Sequence, residues 1–113
     1  MKCGDVCLVH YPFTDASGTK LRPVLIVSSA KFNGGDDVVV VPISSRPEPD
    51  DQFSVYIDSG TPGFTGTGLR YGSSIKWTKP LTIAKSVVSR RLGFIPQTLL
   101  TEVRDKIRTM FVG

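Results

Sequence analysis

The sequence predicts a mainly β chain that ends in one C-terminal α-helix, folded as a small, strongly bent antiparallel sheet or barrel. Three observations carry this. Short apolar runs recur between Gly, Pro and Asp clusters from Gly4 to Gly93. Leu99, Leu100, Val103, Ile107, Met110 and Phe111 fall at three-to-four spacing, the period of one helix face. The 113 residues are 40% hydrophobic and 21% charged, an ordinary globular composition, with no repeat or linker dividing them. One domain over residues 1–113 is expected.

The elements follow in order. Gly4 to Tyr11 alternates and reads as a strand, with Val6, Leu8 and His10 on one face, and Pro12 ends it. Residues 13–22 carry Asp, Ser and Gly and read as a loop. Pro23 to Ser29 is a continuous apolar run, as in a strand buried on both faces. Asn33 to Asp37 is a turn, and Val38 opens a second buried strand that runs towards Ser44. Pro42 within it implies an edge position or a bulge. Arg46 to Asp51 is another loop, Phe53 to Ile57 alternates, and Ser59 to Gly68 is a Gly/Thr stretch expected to be mobile. Leu69 to Trp77 and Leu81 to Gly93 hold two or three short strands. The closing helix keeps Glu102, Arg104, Asp105, Lys106 and Arg108 on its wet face, with Pro96 in its first turn and Gly113 at its end. Glu102 and Lys106 are spaced for an i,i+4 ion pair of about 0.2–0.5 kcal/mol.

Several function classes are excluded by what is missing. There is no Gly-x-Ser-x-Gly elbow and no Walker phosphate loop, since the Gly63, Gly66, Gly68 stretch lacks the following Lys-Ser/Thr. The only histidine is His10, so no histidine pair serves acid and base roles within one chain. The Asp36-Asp37 and Asp50-Asp51 pairs are adjacent in sequence and read as solvated turns, not a metal site. Cys3 and Cys7 would share a strand face about 13 Å apart, too far to bridge, and read as reduced thiols of a cytoplasmic protein. No metal or cofactor is expected. No apolar stretch reaches the roughly 18 residues of a membrane span, and Gly4, Asp5 and His10 break the N-terminal apolar run, so no signal peptide is expected.

The net charge is +4, which permits a polyanionic partner. Positive charge and hydroxyls gather at strand ends. Arg22 precedes Pro23, which restricts it to extended geometry and so aims its side chain. Ser44, Ser45 and Arg46 end the other buried strand, and Arg70, Ser73 and Ser74 follow the Gly/Thr stretch. If these ends converge, they form a pocket of guanidiniums and hydroxyls with almost no carboxylate. Such a pocket suits a phosphodiester, because Arg offers a planar fork to two phosphate oxygens. The simpler reading of the same residues is that Arg22 caps a surface carboxylate and the serines satisfy turn backbone.

The run from Gly4 to Asp15, then Ser17 to Ser28 with its Arg22-Pro23 junction, resembles the opening of the MazF/PemK-like toxins of bacterial type II toxin–antitoxin systems. The likeness continues through Val41-Pro42-Ile43-Ser44-Ser45, Gly68-Leu69-Arg70, Ser73-Ser74-Ile75, Leu92-Gly93 and the final helix. The resemblance implies an SH3-like barrel of the CcdB/MazF type, working as a homodimer in the cytoplasm. It implies metal-independent, sequence-selective cleavage of single-stranded RNA by 2′-hydroxyl attack, leaving a 2′,3′-cyclic phosphate and a 5′-hydroxyl. The family's catalytic Arg maps onto Arg22 and its Thr onto Ser44, with Thr14, Lys20, Ser45, Arg46, Arg70 and Ser73 as substrate-binding candidates. Phe13, Phe64 and Trp77 are candidate stacking platforms for unpaired bases. Some members carry Arg-x-Asp where this chain has Arg70-Tyr71-Gly72, which leaves the general base open, with His10 one candidate. An acidic, partly disordered antitoxin is the implied protein partner. Two alternatives stand beside this reading: a non-enzymatic toxin that poisons a protein such as DNA gyrase through Met110 to Gly113, and a plain SH3-like binding module.

Overall fold

The computed structural model describes residues 1–11, 20–46 and 48–112. Seven antiparallel strands form one sheet: β1 (Asp5–Tyr11), β2 (Lys20–Ile26), β3 (Asp37–Ser44), β4 (Val55–Ile57), β5 (Ser73–Ile75), β6 (Leu81–Ala84) and β7 (Val88–Phe94). The strand order is β4-β5-β3-β2-β1-β7, and β6 also pairs with β3. The sheet does not close, because β4 and β7 remain its two ends among the described residues. Helix α1 (Ala30–Asn33) is a single turn between β2 and β3, and α2 (Gln97–Thr109) ends the chain. The class is the expected one, mainly β with a C-terminal helix.

The apolar stretches Val24–Ile26 of β2 and Val38–Val41 of β3 are unbroken because both sheet faces are covered there. Alternation sends Leu25, Val41 and Ile43 into one core, with Val6, Ile57, Ile75, Leu100 and Val103. It sends Val24, Ile26, Val38 and Val40 into a second core on the other face, with Cys7, Val9 and Ile83. Each such side chain contributes about 1.5–3 kcal/mol when fully buried. In β1, Val6 enters the first core while Cys7 and Val9 enter the second, so the expected buried face of Val6, Leu8 and His10 does not hold. His10 is exposed. Irregular pairing with β7 at Val6/Cys7 and Leu8/Val9 accompanies this double burial. The two thiols also part company, with Cys7 in the second core and Cys3 packed against the first. Burial raises both thiol pKa values, which keeps them protonated.

Strand β2 begins at Lys20, earlier than the apolar run suggests, because Lys20 to Arg22 pair with Val9 to Tyr11 of β1. It also stops earlier. Ser28 Oγ bonds Asn33 Oδ1 and accepts from Val39 N at 2.9 Å, and Ser29 caps α1 by accepting from Phe32 N. Pro42 marks neither an edge nor a bulge. Residues 37–40 of β3 pair with β6, and Ile43 and Ser44 pair with β5. Pro42 falls where one neighbour gives way to the other, so its missing N–H leaves no ladder bond unmade.

The Ser59 to Gly68 stretch is a packed turn rather than a loose loop. Phe64–Thr67 form a 3-10 turn against β7, and Thr67 is fully buried, donating to Phe64 O at 2.6 Å. Backbone touches backbone there: a Cβ at Gly93 would lie 2.1 Å from Gly66 O. Helix α2 starts at Pro96 as its N-cap and buries Leu100 and Val103, while Met110, Phe111 and Val112 stay exposed beyond its end. Lys106 is not paired with Glu102; its ammonium lies 5.9 Å from the Trp77 ring centre, and the helix ion pair is Asp105–Arg108 at 2.9 Å. No helix among the described residues is long and apolar enough to cross a membrane.

Candidate active site

The start of β2 and the end of β3 frame a hollow of about 340 Å³ bordered by Arg22, Val24, Pro42, Ser44, Lys76 and Lys79. Register explains the meeting. The β2–β3 ladder pairs Val24 with Pro42, and the same register continued by two residues sets Ser44 across from Arg22. Both lie on the face whose interior residues, Val24, Val38 and Val40, form the second core. They project just past the end of that core, so the strands hold them while water reaches them. Arg22 is exposed and Ser44 half-buried. Ser44 Oγ accepts from Arg46 N at 3.2 Å, which fixes the hydroxyl oxygen and leaves its O–H free to donate elsewhere.

Sequence reasoning missed Lys76 and Lys79, because neither stands in a motif. Lys76 follows β5, and its backbone N–H donates to Pro42 O at 2.9 Å. Its ammonium bonds Glu48 Oε2 at 2.7 Å and Asp51 Oδ2 at 3.4 Å. The expectation of almost no carboxylate near the hollow is therefore corrected, since two carboxylates reach its edge through Lys76. Asp51 also accepts from Phe53 N at 2.9 Å and Ser54 Oγ at 2.8 Å. The Phe53 amide, then the Ser54 hydroxyl, hold the Asp51 carboxyl below its ordinary range, with Lys76 a lesser cause. The Glu48 carboxylate, first, raises the Lys76 ammonium above its ordinary value.

These shifts fix the sign of a pH dependence. Asp51, depressed when folded, contributes stability above its unfolded pKa and loses it as pH falls through the folded value. Lys76, raised when folded, contributes stability below its unfolded pKa and loses it as pH rises through the folded value. Asp51→Asn is therefore expected to flatten the acid limb of a melting-temperature profile more than Lys76→Met does. Lys76→Met is expected to flatten the alkaline limb. Thermal melts across the pH range check both signs.

Ser45, Arg70 and Ser73 border a different hollow, of about 530 Å³, with Tyr71, Arg90 and Pro23. The set of candidates is thus divided between two places that share Pro23. Ser73 is buried, and its hydroxyl donates to Tyr71 O at 2.9 Å, so it serves the turn. Lys20 and Arg46 are exposed and border neither hollow. Thr14 and Phe13 lie outside the described residues. Trp77 belongs to the first core and Phe64 packs against it, rather than serving as stacking platforms, whereas Tyr71, 68% exposed, is the aromatic that borders the second hollow. His10 pairs with Leu21 and Arg22 with Val9, so strand alternation sends His10 and Arg22 to opposite faces. That removes His10 as a base beside Arg22 within one chain. Gly72 also has a physical reason: a Cβ there would lie 2.6 Å from Tyr56 Oη and 3.4 Å from Asp58 Cβ. Tyr56 fills the space that a side chain at this position would need.

The fold is shared with solved toxin structures. The Mycobacterium tuberculosis toxin MazF-mt6 superposes with a TM-score of 0.72 at 19% identity, covering 95% of each chain. A MazE–MazF structure from Deinococcus radiodurans gives 0.77 at 20% identity, over 98% of this chain and 95% of that one. An endoribonuclease from a mycobacterial species, in complex with its cognate antitoxin, gives 0.72 at 19% identity, over 98% and 94%. No curated protein sequence matches the chain. The sequence profile of the PemK-like, MazF-like toxins matches residues 2–111, almost the whole chain. Because that match spans nearly the whole chain, the chain belongs to the PemK-like, MazF-like toxins of type II toxin–antitoxin systems.

Proposed function

We propose that the chain is a sequence-selective endoribonuclease that cuts single-stranded RNA by attack of the ribose 2′-hydroxyl on the adjacent phosphate. The phosphate–O5′ bond breaks, leaving a 2′,3′-cyclic phosphate and a 5′-hydroxyl. The observation that carries this reading is the hollow in which Arg22 and Ser44 meet with two lysines at its border. Arg22 offers two parallel N–H donors to the phosphate and holds the phosphorane more tightly than the ground-state monoanion. Ser44 donates its O–H to a non-bridging oxygen, its own oxygen being fixed by Arg46 N. A guanidinium is a poor general base, so the role proposed for Arg22 is electrostatic.

Named relatives support the partner as well. The Deinococcus radiodurans MazF is solved with MazE, and the mycobacterial endoribonuclease with its cognate antitoxin. An acidic antitoxin tail laid over the Arg22 hollow would compete with RNA for the same cations, and a homodimer would present two such hollows.

The test is cleavage of a long, sequence-diverse RNA with EDTA present, followed by end-group analysis. Cyclic phosphate and 5′-hydroxyl ends support the reading. No cutting under any metal condition would sink it and favour a toxin that acts by binding a protein. Ser44→Ala is expected to lower kcat by about 10²–10³-fold, the usual cost of one lost donor to a developing oxyanion. Ser44→Thr, which keeps the hydroxyl, is expected to retain most activity. Equal losses in the two variants would remove the hydroxyl from the mechanism.

A further inference from the structure

We propose that Lys76 is a second phosphate-holding cation of the Arg22–Ser44 hollow, set in position by Glu48 and Asp51. The inference rests on the ribonuclease reading and concerns how that site grips its substrate. Three features carry it. Lys76 borders the same hollow as Arg22 and Ser44. Its side chain is only 17% exposed, and its backbone is tied to Pro42, which also borders the hollow, so it is built into the site. Its ammonium has three N–H donors, two of which are taken by Glu48 and Asp51. The third remains for an acceptor in the hollow that Lys76 borders.

The carboxylates do more than hold it. Arg22, Lys76 and Lys79 carry three positive charges, and Glu48 and Asp51 offset two of them. The balance matches one phosphodiester charge. Asp51 is bound up in its own turn through Phe53 N and Ser54 Oγ. The Glu48 carboxylate has Lys76 as its side-chain partner, so Glu48 is the charge whose removal most enlarges the field felt by a phosphate.

The experiment measures binding of a labelled single-stranded RNA whose 2′-hydroxyls are methylated, so that cutting is blocked. The full chain is titrated over a salt series. Lys76→Gln is expected to weaken binding about tenfold and to reduce the slope of log K against log salt by about one. Lys76→Arg is expected to keep both. Glu48→Gln keeps an acceptor for Lys76 but loses the charge, and is expected to tighten binding a few-fold. The double variant Lys76→Gln/Glu48→Gln removes the closer ion pair whole and leaves Asp51 held by Phe53 N and Ser54 Oγ, so weak binding in it reports the lost phosphate contact rather than an unpaired Glu48. Wild-type affinity and slope in both Lys76→Gln and the double variant, with only the melting temperature lowered, would overturn the inference. The activity reading fails separately: wild-type protein that binds the methylated RNA but never cuts the unmodified one refutes nuclease action while supporting the Lys76 contact.

Discussion

Arg22→Ala is expected to lower RNA cleavage by about 10³–10⁵-fold, the range seen when an arginine that stabilises a phosphoryl-transfer transition state is removed. The melting temperature should stay close to that of the wild type. Arg22 is exposed, and no ion pair among the described residues uses it, so its loss exposes no buried charge. Pro23 keeps the backbone extended whatever residue precedes it. Loss of kcat with intact folding would identify Arg22 as a residue of the chemistry. Arg22→Lys separates charge from shape: a point charge without the planar fork is expected to recover only a small part of the rate. Wild-type cleavage by Arg22→Ala would disprove the assignment of the hollow as the active site.

Gly93→Ala should be the most damaging small substitution in the fold. The added methyl would lie 2.1 Å from Gly66 O and 2.7 Å from the Thr67 carbonyl carbon, both backbone atoms. No rotamer change relieves such a clash, so the 3-10 turn must lift from β7. Overpacking costs about 1–3 kcal/mol and sometimes more, and the buried Thr67 would lose its packing as well. A fall of about 10–20 °C in melting temperature is expected for a chain of this size. Gly35→Ala is the control, since a methyl there meets only Phe32 O at an ordinary 3.6 Å. A Gly93→Ala protein that melts with the wild type would show that the turn can rearrange freely.

Much of the fold was legible because hydrophobic period is a local signal. The double-sided burial of β2 and β3 could be read from their unbroken apolar runs, and α2 from its three-to-four spacing. Elements held by side-chain bonds or by contacts distant in sequence were not legible. Helix α1 depends on the Ser29 cap, and the Phe64–Thr67 turn depends on β7, more than twenty residues later. At the candidate site, Arg22 and Ser44 were readable because strand register places them and a proline aims one of them. Lys76 was not, since its place comes from Glu48 and Asp51 on another loop. Ser45 and Arg46 follow β3 and Ser73 opens β5, as their strand-end positions suggest, while Arg70 lies in the bend before β5, and a sequence does not say which face of a bent sheet an end presents. His10 and Arg22, paired with neighbouring residues yet facing apart, illustrate the difference.

Strands β5 and β6 lie end to end along one side of β3, but their registers differ by three residues: Ile43 faces Ile75, while Val40 faces Leu81. Those surplus residues cannot pair with β3, so the chain between the two strands bulges away from it and carries Lys76 and Lys79 to the border of the hollow. Pro42 sits at that seam, where β3 needs no donor, and its carbonyl pins the start of the bulge by accepting from Lys76 N at 2.9 Å. The lysines of the hollow are thus a product of a mismatch in strand register.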